Sequence, residues 1–240
     1  DLHRHERGGL ARVAKATGCA MSTLRRIAIV GAESTGKSWL ARTLCEVLCE
    51  RGETAHWAQE HLRHWCEREG RTPQSHEQLA IAQAQADAVL AFQTGTVIAD
   101  TTPLVTAVYS HQLFADEGLY AMALAHQGLY DLTLVTGLDV QWEAQWLRDS
   151  AQARVPIDAK LRDALGRSGI AFRVIYGQGL ARLNNALLAM GLPPENEADW
   201  QRRELAQFAL NEGRTPWLCE KCSDPDCEHR LFTGLLKPRA

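Results

Sequence analysis

No stretch of the 240-residue sequence approaches the ~18 consecutive apolar residues that a membrane-spanning helix needs. The first twenty residues, DLHRHERGGLARVAKATGCA, carry Arg and Lys but lack the apolar core of a secretory signal. These two absences predict a cytoplasmic protein with no membrane partner. Surplus charge is missing as well. Twenty-six Lys and Arg stand against 29 Asp and Glu, a net charge of -3, so no overall field draws the chain to nucleic acid and no such partner is expected. Seven cysteines, an odd number in a long chain, do not make a disulfide framework. Four are scattered (Cys19, Cys45, Cys49, Cys66) and three cluster late (Cys219, Cys222, Cys227). Internal repeats and low-complexity tracts are also absent.

What is present is ordinary globular material, with 45% hydrophobic and 23% charged residues, which excludes a wholly disordered chain. At ~150 residues per domain the length suggests one domain with an appendage. The chain opens at Asp1, and Met21-Ser22-Thr23 stands before the first strand-like run. Residues 1–25 therefore read as a disordered extension, with Met21 a candidate natural start.

From residue 27 onward, strand-like and helix-like segments alternate, which argues α/β with a parallel sheet. Short apolar runs at 27–30, 54–58, 96–100, 132–135 and 171–175 predict five strands. Leu40, Leu44, Val47 and Leu48 share one helical face, and Gly52 stops that helix. Further helices are expected at 76–92, after Pro103, at 156–165, at 179–190 and at about 195–210. Residues 138–155, with two Trp and two Arg and no clear period, read as a mobile excursion. This gives a main domain at 26–192 and, at 193–240, a helix with a Cys-rich tail.

GAESTGKS at 31–38 satisfies G-x-x-x-x-G-K-[ST], between a strand and a helix. Its glycines let successive backbone N–H groups turn toward a phosphate, and the helix N-terminus adds partial positive charge. Gly31, Ser34, Thr35, Gly36, Lys37, Ser38 and Trp39 are the predicted nucleotide-binding residues. Lys37 would reach the β- and γ-phosphates, and the Ser38 hydroxyl would hold Mg²⁺. Asp100 ends a buried strand, where an acid needs a cation or hydrogen-bond donors. It would anchor Mg²⁺ through water or take the proton of the attacking group; alternatively it caps the next helix through Thr101 and Thr102. Arg148 and Arg154 suit a closing lid, Arg148 meeting charge that develops in phosphoryl transfer and Arg154 holding the nucleotide.

The stretches IAIVGAESTGKSWLARTL, IAQAQADA, VIADTTPLVT and YDLTLVTGLDVQWEAQWLRDS, with Gly177 and Arg182 after the last strand, resemble the nicotinamide riboside (ribosylnicotinamide) kinase family of P-loop proteins. The string D-x-x-W-x-x-x-x-L-R-D at 139–149 is the most specific of them. The resemblance implies a nucleoside-kinase-like three-layer fold, with a five-stranded parallel sheet, flanking helices and a lid. It implies ATP and Mg²⁺ as donor pair and transfer to a hydroxyl of nicotinamide riboside or a similar ribonucleoside, as in NAD salvage. It places Asp100 beside the acceptor and Asp139, Trp142 and Glu60 on the substrate side. An aromatic face such as Trp142 suits a cationic pyridinium ring, or else packs beneath the lid. The chain departs from the family at Thr102 (usually Asp), Gln59 (Arg), Gln141 (Pro) and Gln145 (an acid), which predicts altered acceptor recognition. A P-loop ATPase that drives a partner, with the Cys-rich tail as docking surface, is the alternative. No N-K-x-D string is present to read guanine.

Cys219, Cys222, Cys227 and His229 put three thiols and an imidazole within eleven residues. That set can supply the four ligands of a structural Zn²⁺, with an iron–sulfur cluster or an idle tail as the other readings.

Overall fold

Ile27 and Ile29 turn to one side of the first strand and Ala28 and Val30 to the other, and all four are fully buried. A strand hidden on both faces belongs at the centre of a covered parallel sheet. The computed structural model of the protein describes residues 23–140 and 148–211, and of 148–153 and 207–211 the backbone alone. Strands β1 (Arg25–Val30), β2 (Ala55–Ala58), β3 (Thr96–Asp100), β4 (Leu132–Thr136) and β5 (Phe172–Ile175) form one sheet in the order β2-β3-β1-β4-β5. All pairings are parallel. The expected five-stranded sheet is thus present, with β1 in the middle.

Helices α1 (Lys37–Glu50) and α7 (Gly179–Ala189) cover one face, packing Leu40, Leu44, Leu183 and Leu187 against Ile27, Ile29, Ile98 and Leu134. On the other face lie α3 (Gln78–Leu90), α4 (Pro103–Phe114), α5 (Tyr120–Gln127) and α6 (Arg148–Arg167), around Ala28, Val30 and Val135. Helix α2 (His61–Glu69) packs beside α3, and α8 (Glu197–Asn211) lies along α1. Arg203 of α8 donates to both carboxylate oxygens of Glu50, and Trp200 meets Trp39 edge-on with centroids 6.0 Å apart.

Three segments differ from expectation. Helices α2 and α5 are additional. Helix α6 begins at Arg148, so the residues from 148 to 155 are helical rather than an irregular excursion, and Pro156 lies inside the helix. A proline there removes one backbone hydrogen bond. Ile157, Leu161 and Leu165, spaced by four and buried against the sheet, hold the helix in place around it.

The carboxyl ends of β1 and β3 sit side by side, Ile29 level with Asp100. Connections leave the central strands toward opposite faces at this edge, which is where open α/β sheets bind ligands.

Candidate active site

Leaving β1, the chain turns at Gly31 with φ 155, and a Cβ there would lie 2.1 Å from Thr136 Oγ1 at the end of β4. Thr35 and Thr136 share a hydroxyl–hydroxyl hydrogen bond of 2.6 Å, and Thr35 Oγ1 also donates to Ala32 O at 2.8 Å. Ser34 (φ 52) and Gly36 (φ 78) are left-handed, which curls the loop before α1 starts. Lys37 is 5% exposed, and its Nζ donates to Ala32 O at 2.7 Å, so the ammonium lies back across the loop's own concavity. A cradle this tight, with a buried cation at its mouth and a 14-residue helix behind it, fits a nucleotide polyphosphate.

Asp100 is 1% exposed, at the tip of β3 beside this loop. Thr101 follows in the left-handed region (φ 65), its N–H bound to Ile29 O at 3.0 Å. The cap of α4 is Thr102, so Asp100 does not cap that helix. Thr102 itself is fully buried and donates to Gln127 Oε1 at 2.7 Å, while Gln127 Nε2 donates to Thr133 Oγ1 at 3.0 Å. The position expected to face the acceptor is therefore spent on joining α4, α5 and β4.

Two groups at the loop carried no local signal in the sequence. Glu33 is 2% exposed and accepts from Tyr109 of α4 at 2.6 Å. Arg63 of α2 donates to Ser38 Oγ at 3.4 Å and to Glu60 Oε2 at 3.3 Å. Glu60, the residue preceding α2, is thereby brought to the phosphate loop.

Arg182, 1% exposed in α7, closes the opposite side. It donates through Nε to Gly177 O at 2.7 Å, through Nη1 to Thr35 O, and through Nη2 to Asp139 Oδ1 at 2.8 Å. Asp139 Oδ2 accepts from the Gly177 N–H at 2.6 Å, so one carboxylate oxygen is committed to the β5–α7 loop and the other to Arg182 of α7. Burial lowers the pKa of Arg182; Asp139 opposes the shift and Arg154 adds to it. Arg154, 6% exposed in α6, thus places a second buried guanidinium in the same neighbourhood. Two like charges near a phosphate loop favour an anion.

Of the predicted residues, the structure brings together the loop at 31–38, Asp100, Glu60, Arg154 and Asp139. Trp39 packs on Trp200 at the edge of the α1–α7 core. Arg148 opens α6. Trp142, Gln145, Cys219, Cys222, Cys227, His229 and residues 1–22 lie outside the described residues. Among the described residues, no group of three or more His, Cys, Asp or Glu is placed to hold a metal, and no helix is long and apolar enough to cross a membrane.

Among solved structures, a NadR protein in complex with NAD and AMP-PNP matches with TM-score 0.55 at 22% identity, over 73% of this chain and 51% of that one. A NadR protein in complex with NR matches with TM-score 0.55 at 20% identity, over 73% and 52%. A thymidylate kinase from Ehrlichia chaffeensis matches with TM-score 0.48 at 14% identity, over 70% and 96%. The chain spans about half the length of the NadR proteins, and the likeness is one of fold. No curated protein sequence matches it. A sequence profile described as an AAA domain matches residues 26–182, from the first residues of β1 to the arginine that closes the phosphate loop. The chain belongs to this AAA-domain family.

Proposed function

We propose that the chain is an ATP-dependent phosphotransferase that delivers the γ-phosphoryl group to a hydroxyl of a small nucleoside, nicotinamide riboside or a similar ribonucleoside. The observation that carries this reading is the junction of a complete phosphate loop with a buried acid, Asp100, on the neighbouring strand. Lys37, the loop amides and Arg154 would hold the phosphates, and Ser38 and Asp100 are the groups that would hold Mg²⁺. The metal supplies charge neutralisation at the transferred phosphoryl. Arg148 would add positive charge there from the first turn of α6, and Trp39 would flank the nucleotide. Asp100 would also take the acceptor proton. Asp139 and Trp142 would border the acceptor. The similar NadR structures, in complex with NAD and AMP-PNP and with NR, support a nucleoside of this kind. A cytoplasmic setting, where ATP is plentiful, belongs to the same reading. Structural zinc held by Cys219, Cys222, Cys227 and His229 completes it; metal analysis of protein purified without added zinc should find about one equivalent.

ADP release from ATP and Mg²⁺, with and without each member of a ribonucleoside panel, tests the proposal. Stimulation by nicotinamide riboside or a close analogue is the expected result. Steady release that no nucleoside alters favours the second reading, an ATPase that drives a partner. That reading draws support from Thr102, neutral and wholly enclosed where the resemblance implies an acid.

A further inference from the structure

Ser38 is the hydroxyl that the G-x-x-x-x-G-K-[ST] motif assigns to a divalent cation, and a guanidinium stands beside its Oγ. Arg63 Nη2 lies 3.4 Å from Ser38 Oγ and 3.3 Å from Glu60 Oε2. Both of these contacts are longer than the short bonds of a bidentate arginine–carboxylate fork. The side chains of Arg63 and Glu60 are 19% and 11% exposed, so the pair sits in the cleft and not on open surface.

The backbone beneath Arg63 is fixed. Gln85 of α3, 2% exposed, accepts from the His61 N–H at 2.6 Å and anchors the first turn of α2. Trp65, two residues past Arg63, is buried, with Arg71 over its ring at 4.9 Å. With the helix anchored in this way, an exchange of partner at Ser38 would move the side chain of Arg63 and not the backbone. A Mg²⁺ ligated by Ser38 would stand about 2.1 Å from the hydroxyl oxygen. A guanidinium nitrogen 3.4 Å from the same oxygen would then stand roughly 4–5 Å from the divalent cation, where like charges in a cleft repel. Arrival of the metal therefore favours departure of the guanidinium.

We propose that Arg63 is a positioning residue that holds the metal seat of the nucleotide-free protein, yields Ser38 when the metal–nucleotide arrives, and turns to the γ-phosphate. Glu60 is the pivot, because it keeps the arginine in the cleft during the exchange. This proposal rests on the kinase reading above for the identity of the nucleotide and metal.

Calorimetric titration of the full chain tests it without turnover. ADP, which lacks a γ-phosphate, reads the metal seat alone. Its affinity is measured with and without Mg²⁺ in wild type, Arg63→Ala and Arg63→Lys. Removing the guanidinium should raise the Mg²⁺ enhancement of ADP binding about three- to tenfold and leave Mg²⁺-free ADP affinity within twofold. Lysine, which keeps the charge, should leave the enhancement near wild type. The preference for Mg²⁺–AMP-PNP over Mg²⁺–ADP should fall about tenfold in Arg63→Ala, since the γ-phosphate loses its partner. Equal change of ADP affinity with and without Mg²⁺ would overturn the proposal and reduce Arg63 to a structural residue. So would an unchanged γ-phosphate preference. Wild type that binds neither nucleotide would instead overturn the kinase reading itself, and this proposal with it. Circular dichroism melts of both variants separate these outcomes from misfolding.

Discussion

Lys37 and Asp100 are both almost wholly enclosed, yet each is ionisable and lies where an apolar side chain would pack. Enclosure of a charge is costly unless a ligand or partner uses it, so both positions answer to chemistry more than to stability. Lys37→Ala should abolish ADP release while far-ultraviolet circular dichroism stays native, because the ammonium reaches back to the loop carbonyl of Ala32 and not into the hydrophobic core. Asp100→Asn keeps the volume and removes the charge. It should lower turnover on the order of a hundredfold or more, the scale of a lost catalytic base. A steady-state assay at saturating ATP measures both. The loop, its lysine and the strand-end acid were legible in the sequence because their meaning is local: a fixed spacing between an apolar strand and an amphipathic helix. Arg63, Glu33 and Gln127 were not. What makes them informative is distant in sequence: Arg63 meets Ser38 25 residues away, Glu33 meets Tyr109 76 away and Gln127 meets Thr102 25 away.

At the scale of elements, the internal thread from Thr102 through Gln127 to Thr133 holds α4, α5 and β4 in register under the acid-bearing strand end. Gln127→Ala would leave two buried hydroxyls short of a partner, at ~1–3 kcal/mol each. Urea denaturation should show a loss of about 2–4 kcal/mol, larger than the usual effect of a surface substitution. The strands and the helices at 37–50, 103–114 and 179–189 were readable because each shows a clear apolar face or run. Helix α2 was not, since HLRHWCERE offers one buried residue, Trp65, and the helix is held by Gln85 and α3. Helix α5 is eight residues long, too short for a period to declare itself. The start of α6 was hidden by Pro156, which reads locally as a helix beginning and is tolerated here inside one.

For the molecule as a whole, acid sensitivity follows from imidazoles that folding places out of water. Burial, with a smaller push from Arg26, lowers the pKa of His126; the Ala86 backbone and Asp87 oppose it. Folded His126 thus refuses a proton that the unfolded chain accepts below about pH 6.5. Over that window the unfolded state binds more protons, so stability falls as pH falls, by at most about 1.4 kcal/mol per pH unit for one group. His61 shifts in the same direction, chiefly through burial. Chemical denaturation between pH 7 and 5 should show the decline, and His126→Gln should remove part of its slope.

The phosphate loop is held by groups far along the chain: Thr136 stands 101 positions beyond its partner Thr35, and Arg182 stands 147 beyond. A growing polypeptide that has just left the ribosome with residues 31–38 carries the whole motif and none of its scaffold. At about 5–20 residues per second, roughly seven to thirty seconds separate synthesis of the loop from synthesis of the arginine that fastens it. Nucleotide can assist folding only after Arg182 has been made, and fragments that stop before it should emerge blind to nucleotide.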